Sequence, residues 1–198
     1  MLSYRHAFHA GNHADVLKHL VLVQLTQYLG QKEKPFWYID THSGAGAYAL
    51  DSGYAAKLAE YKDGIGRLWV RNDLPRVLAD YVGLVRRLNP DRRLLIYPGS
   101  PYFALWTLRE QDRLRLFELH SKDARLLQEN FKDAGKQVIV EPTDGFAGLK
   151  ALLPPPSWAT EATSRGNSPR SRSRPRAALP VSASRTPAVS LPAGSTAR

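Results

Sequence analysis

The chain has 198 residues, no cysteine and a formal net charge of +10. That length accommodates one domain with a sizeable core, the missing thiols exclude disulfides and thiolate metal sites, and the basic balance points to a polyanionic partner, nucleic acid first. Most of the excess charge sits in residues 155–198, where seven arginines face the single acid Glu161.

The opening carries His6, His9, His13 and His19 with Arg5 and Lys18. His9 and His13 are four apart, but Gly11 lies between them and no third ligand is near, so no metal is expected. Rings there suit contact with bases, and Arg5 and Lys18 suit phosphates; a solvated arm is the alternative. Asn12, three residues before Asp15, predicts a helix start, and residues 16–29 run to a stop at Gly30. Leu17, Leu20, Val21, Leu25 and Tyr28 are expected on its buried face. Lys18 and His19, in its first turns, are expected to point toward the glycine loop that follows.

Residues 36–48 organise the rest. After Pro35, the run Phe36, Trp37, Tyr38, Ile39 suits a short buried strand, and Asp40 marks its carboxyl end. Gly44 and Gly46 permit a sharp turn and a close approach by a ligand. The spacing differs from the dinucleotide fingerprint, whose third glycine is replaced by Ala49, and by itself such a loop is as well explained by an ordinary turn.

Residues 55–61 and 65–71 read as short helices, and Asp73, Leu74 and Pro75 open a longer one with Leu78, Tyr81, Val82, Val85 and Leu88 on one face. A single βαβ crossover needs only one helix, so residues 50–93 are expected to form an inserted helical subdomain. Residues 94–97 predict a strand, followed by the turn at Pro98, Gly99, Ser100 and Pro101, where Ser100 caps the next helix or faces a ligand. Residues 114–119 predict a strand with Glu118 at its end, residues 121–131 a helix, and residues 138–140 a third strand that closes on Asp144 and Gly145. Three strand-end acids, Asp40, Glu118 and Asp144, suit a ligand with an adenosine half, because carboxylates accept from ribose hydroxyls and from the adenine amino group. Pairing of Glu118 with Arg115 or Lys122 is the plainer alternative.

Residues 1–19 and 38–46, the turn at 97–101, Arg109 to Asp112, Glu118 to His120 and Asp144 to Phe146 closely resemble the RlmJ (YhiR) family of bacterial 23S ribosomal RNA adenine-N6 methyltransferases. The resemblance runs to about residue 156. It implies a Rossmann-like α/β fold with an inserted helical subdomain, S-adenosyl-L-methionine as cofactor and 23S ribosomal RNA as partner. Lys18, His19, His42, Ser100, Glu118, Asp144 and Gly145 match cofactor-contacting positions, and Asp40, Gly44 and Gly46 of the loop join them. Tyr4 matches a position near the substrate adenine, with Arg5 and His6 beside it as RNA contacts. A cytoplasmic monomer without metal or membrane attachment is expected, since no signal-peptide pattern or bilayer-length apolar run occurs.

The family's Asp-Pro-Pro-Tyr motif is absent. In the family its Asp and a Pro carbonyl accept from the adenine amino group while its Tyr stacks on the base. Pro154, Pro155 and Pro156 lack the acid that should precede them and are assigned no catalytic role. The sheet is therefore expected to be incomplete, with an open edge and an uncovered apolar face. From Ser157 onward the composition turns to Ser, Arg, Pro and Ala, a segment expected to be disordered and read as a frame-shifted or truncated end in preference to an RNA-binding tail. The expected function is adenine-N6 methylation of 23S ribosomal RNA, with this chain inactive for want of the motif. A non-catalytic remnant that binds RNA or cofactor is the alternative, and a nicotinamide-dependent oxidoreductase is disfavoured by Ala49.

Overall fold

The computed structural model of the chain describes residues 8–51, 55, 58–153 and 190. In chain order the elements are α1 (His13–Gly30), β1 (Trp37–Asp40), β2 (Ala47–Ala49), a 3-10 turn (Glu60–Asp63), α2 (Ile65–Trp69), α3 (Arg76–Arg86), β3 (Ile96–Pro98), α4 (Ser100–Thr107), β4 (Arg113–Phe117), α5 (Ser121–Phe131), β5 (Val138–Glu141) and α6 (Gly145–Leu152). Tyr4, Arg5 and His6, the prolines at 154–156 and the tail apart from Ser190 lie outside the described residues.

Helix α1 starts as expected. Asn12 Oδ1 accepts the Asp15 N–H at 3.0 Å and Asp15 Oδ2 accepts the Gly11 N–H at 3.0 Å, a reciprocal cap. Its burial reverses the expectation. Asp15, His19, Val23 and Thr26 are buried, whereas Leu17, Val21, Leu25 and Tyr28 are 65%, 47%, 55% and 56% exposed. Of the five residues expected inside, Leu20 packs against the core. Both sets share one spacing and are two residues out of phase, so they lie on opposite sides of the helix. Each inward polar residue finds a partner there: His19 Nδ1 lies 2.8 Å from the Tyr97 hydroxyl, and Thr26 Oγ1 lies 2.8 Å from Thr107 Oγ1 on α4.

The main sheet is parallel, in the order β1-β4-β5, with Trp37 opposite Arg113 and Leu114 opposite Val138. This is the strand order of one βαβαβ half of a doubly wound sheet. Alternation along β4 sends Leu114 and Leu116 to one face, where they pack with Tyr102 of α4 and with Leu127 and Phe131 of α5. Phe117 points to the other face, where Gly148 of α6 lies against its ring. Helix α6 itself was not anticipated from the sequence. Among the described residues, β1 has a hydrogen-bonded strand on one side only.

Strands β2 and β3 form a separate antiparallel ribbon, Ala47 opposite Pro98 and Ala49 opposite Ile96. A three-residue strand in a glycine-rich stretch carries no readable alternation, so β2 escapes sequence reading and exists because β3 pairs with it. The helical stretch between these strands leaves and returns side by side. Its Ile65, Tyr81, Val82 and Val85 pack in one cluster with Val23, Tyr48, Leu50, Tyr97 and Phe103. In the helix expected over 55–61, Ala55 and Leu58 are helical, and the Ala59 N–H bonds the Ala55 carbonyl at 2.9 Å. The stretch then tightens into a 3-10 turn at Glu60–Asp63, held to the start of α1 by bonds from His9 Nδ1 (3.0 Å) and Asn12 Nδ2 (2.9 Å) to the Glu60 carboxylate.

An ion pair sets the register of β1 on β4. Arg109 donates to both oxygens of Asp112 at 2.8 and 2.9 Å and to the carbonyls of Gly30 (3.1 Å), Lys34 (3.1 Å) and Lys32. Asp112, fully buried, also accepts the N–H groups of Phe36 at 3.1 Å and Arg109 at 2.9 Å. Burial pulls the Asp112 carboxyl upward, but the hydrogen bonds from Arg109 and from the two backbone N–H groups outweigh it and leave the carboxyl below the ordinary range. An acid depressed on folding contributes stability above its unfolded-state pKa, and that contribution is lost as pH falls through the folded value.

Arg109→Ala leaves a buried carboxylate uncompensated and should cost about 3–5 kcal/mol in urea denaturation at pH 7. Burial then acts on Asp112 against the two backbone N–H bonds alone, so acidification relieves the variant while it removes the pair's contribution from the parent. The gap between the two should narrow as the pH falls below about 4; a gap constant from pH 7 to pH 3 would show that the pair is not what the substitution disrupts.

Candidate functional site

Because the three strands of the main sheet run in one direction, their carboxyl ends share one edge, where ligands of open α/β sheets bind. Asp40 is the last residue of β1, Glu118 follows β4, and Asp144 follows β5 after a short turn. The fold brings these three acids to that edge from positions far apart in sequence.

Asp40 is held from three directions. Ser100 Oγ, in the first turn of α4, donates to Oδ2 at 2.6 Å, the Tyr38 hydroxyl donates to the same oxygen at 3.4 Å, and the His42 N–H donates to Oδ1 at 3.1 Å. Burial and then the adjacent Asp40 charge raise the pKa of the Tyr38 hydroxyl far above its ordinary value, so it stays a donor at any physiological pH. Ser100 thus faces the site and is no helix cap.

The loop after β1 turns through positive φ at Gly44 (+61°) and Gly46 (+83°), as expected. The space a side chain would need is filled by the protein itself. A Cβ on Gly44 would lie 2.1 Å from the Tyr48 hydroxyl oxygen, and one on Gly46 would lie 3.1 Å from the Phe131 ring. The glycines are required by the turn and by internal packing. The loop is fastened to the next strand by Ser43 N–H on Phe117 O (2.9 Å) and Gly44 N–H on Glu118 Oε2 (2.7 Å), and Asn130 Nδ2 of α5 donates to Ala45 O at 2.9 Å.

Glu118 is half-buried and takes a second backbone bond, from His120 N–H to Oε1 at 2.8 Å. Its recorded hydrogen bonds therefore go to backbone N–H groups, not to Arg115 or Lys122. Asp144 caps α6 by accepting the Ala147 N–H on Oδ1 at 2.8 Å. Gly145 is buried so closely that a Cβ would fall 2.0 Å from the Thr41 carbonyl oxygen, which sets the start of α6 directly on the β1 loop. That contact brings Phe146, 59% exposed, edge-on to His42 at 5.2 Å between ring centres.

Lys18 and His19 are placed differently from the rest. His19 is 1% exposed and sits in the core, where Tyr97 links it to Tyr81 through a 2.8 Å hydroxyl contact. It braces the strand that leads into Pro98 and Ser100 and does not itself line the sheet edge. Lys18 reaches Asp15 at 2.9 Å with its side chain 56% exposed. Tyr38, Asn130 and Phe146 were not singled out from the sequence as site residues. Tyr38 lies two residues before Asp40, a period that returns to the same side of a strand, which is a signal the sequence does carry; Asn130 reaches the loop across 85 residues and carries no local signal.

The family model described as "Ribosomal RNA large subunit methyltransferase D, RlmJ" matches residues 33–160. The chain is 52% identical over 157 residues to the Escherichia coli K12 protein named ribosomal RNA large subunit methyltransferase J, a match covering 79% of this chain and 56% of that protein. It is 53% identical over 156 residues to the Haemophilus influenzae protein of the same name, covering 78% of this chain and 55% of that one. The crystal structure of protein LPL1258 from Legionella pneumophila is similar with a TM-score of 0.69 at 46% identity, over 75% of this chain and 54% of that one. The chain thus spans about half the length of the relatives it matches. Sequence identity at this level, carried on the same α/β core, makes the chain a member of the RlmJ family of ribosomal RNA large subunit methyltransferases.

Proposed function

We propose that the carboxyl edge of the parallel sheet binds S-adenosyl-L-methionine and that this chain is the cofactor-binding part of an enzyme that methylates an adenine N6 in 23S ribosomal RNA. The convergence of Asp40, Glu118 and Asp144 around the 41–46 loop carries the reading, and the names of the relatives support it. The donor capacity of the cofactor fits what these acids have left over. An ionised carboxylate offers about four acceptor positions. Glu118 directs two bonds to backbone, so ribose hydroxyls have acceptors beside Gly44. Asp144 commits Oδ1 to the helix cap, which leaves Oδ2 for an adenine amino group, with the exposed Phe146 ring beside it as a stacking surface. Asp40, fixed by Ser100, Tyr38 and His42, sets a negative charge at the loop, suited to the cationic end of the ligand.

When bound, the cofactor supplies an electrophilic methyl group. The chain's own residues hold and orient it. Tyr4, Arg5 and His6, with Lys18 at the start of α1, are the residues proposed to meet RNA. The sequence contains no Asp-Pro-Pro-Tyr segment to accept from the target amino group, so the reading for this chain alone is binding without transfer. No described helix is long and apolar enough to cross a membrane, and the cytoplasm, where ribosomal RNA lies, is the proposed location.

Methyl transfer from labelled S-adenosyl-L-methionine to protein-free 23S ribosomal RNA tests the reading directly. The 198-residue chain should give no product, while the same residues continued after position 153 with the remaining sequence of the E. coli relative should methylate one adenine. Failure of both, with the joined protein folded, would overturn it. In calorimetric titration, Glu118→Gln should weaken S-adenosyl-L-methionine binding about 10- to 100-fold in the joined protein, the loss of a hydrogen bond to a charged group. An unchanged affinity would remove Glu118 from the cofactor site.

A further inference from the structure

Up to residue 154, the excess positive charge of the chain comes from one stretch. Residues 65–93 carry seven arginines against three aspartates, a net of +4, whereas the rest of residues 1–154 balances at fourteen basic and fourteen acidic side chains. Three of the seven arginines meet a carboxylate locally: Arg67 lies 2.8 Å from Asp63, Arg71 2.6 Å from Asp73 and Arg76 3.7 Å from Asp80. The other four, Arg86, Arg87, Arg92 and Arg93, fall together at the end of α3 and in the turn after it. Among the described residues, no carboxylate stands at ion-pair distance from Arg86, Arg92 or Arg93.

Tryptophans hold this group in place. Arg86 lies over the Trp69 ring at 5.4 Å and Arg87 over the Trp106 ring at 5.0 Å, each measured to the ring centre. Trp69 Nε1 donates to the Arg92 carbonyl at 3.1 Å, so one half-buried indole at the end of α2 joins Arg86 to the turn that carries Arg92 and Arg93. Arg92 sits at φ +60°, a conformation that glycine or asparagine adopts more readily. The helix dipole favours cations at a carboxyl end, which accounts for Arg86 and Arg87. It does not account for two further arginines beyond the helix, one of them in left-handed backbone. Beside Arg86 opens a cleft of about 150 Å3, lined by Leu74, Ala79 and Val82 and by the polar Arg71, Asn72 and Arg86. A guanidinium stacked on an indole keeps its N–H edge for a phosphate, which it can meet with two parallel bonds.

We propose that Arg86, Arg87, Arg92 and Arg93, set on Trp69 and Trp106, bind the phosphate backbone of the substrate RNA, and that the cleft beside Arg86 receives a sugar or base of the same strand. The site lies on the helical stretch between β2 and β3, apart from the cofactor edge, and it rests on the proposed function for the identity of the RNA. It fixes where the RNA lies and reads no sequence. Helix α4 runs from Ser100 at the sheet edge to Trp106, about 9 Å along its axis. Phosphates of one strand recur about every 3.4 Å along a duplex axis, so the arginines meet RNA at least about three nucleotides from the target adenine.

Filter binding of a labelled 23S ribosomal RNA fragment to the full chain, over a range of salt, tests the site without cofactor or methyl transfer. Arg86→Gln, Arg92→Gln and Arg93→Gln together should weaken binding about tenfold or more at about 0.1 M salt. They should also reduce the slope of log K against log salt by about 2, through the loss of three phosphate contacts. Arg125→Gln, Lys132→Gln and Lys136→Gln remove the same charge from exposed positions on α5 and just after it, and should change the slope by less than half as much. Equal losses in the two triple variants overturn the proposal. A second measurement needs no substitution: reaction of arginines with phenylglyoxal in the full chain, mapped by peptide mass spectrometry with and without the RNA. The RNA should protect Arg86, Arg92 and Arg93 and leave Arg67 reactive. Protection confined to the arginines after residue 155 overturns the proposal, and so does equal protection by polyglutamate, which assigns the patch to an acidic protein. Loss of methyl transfer in the joined protein, with this protection intact, would count against the proposed function alone.

Discussion

The pairing of β1 with β4 is the constraint on which the rest of the structure depends, and an acid clamps it at each end. At the amino end, buried Asp112 takes the Phe36 N–H and the Arg109 guanidinium, and Arg109 N–H bonds reach the loop between α1 and β1. At the carboxyl end, Glu118 takes the Gly44 N–H one residue after Ser43 has bonded the Phe117 carbonyl. Four residues of parallel ladder are too few to resist slippage alone, and a shift by one residue would send the wrong side chains to the core. The two clamps fix the register, and the register delivers Asp40 and Glu118 to the same edge.

That coupling explains why stability and recognition are hard to separate at this site. Glu118 fastens the glycine loop and still has acceptor positions for a ligand. Asp144 caps α6 with one oxygen, and the seating of Gly145 against Thr41 sets where its other oxygen lies. Each acid at the edge is held by backbone or side-chain donors, so its position is set before any ligand arrives, which lowers the ordering cost of binding.

Helix α1 shows how burial follows from partners and not from residue type alone. Its inward face carries an aspartate, a histidine and a threonine, each hydrogen-bonded, while four large apolar residues face outward. Polar residues are tolerated inside when they are hydrogen-bonded, and a threonine pair bridges α1 and α4. The outward stripe has no such account among the described residues.

Much of the local structure was legible in the sequence. The Asn12 cap and the Gly30 stop defined α1, the apolar run after Pro35 defined β1, and Ser121 through Phe131 defined α5, because caps, breakers and periodicity act within a few residues of themselves. The three strand-end acids, the glycine turn and the family pattern were likewise written in the chain. Which face of α1 is buried was not, since an apolar period shows that a face exists to be covered and cannot say whether the cover lies in the same chain. Nor were β2, whose three residues form a strand only against β3, the bonds of Arg109 to a loop some 75 residues away, or the hold of Asn130 on Ala45. Those depend on groups that are distant in sequence and adjacent only once the fold has formed.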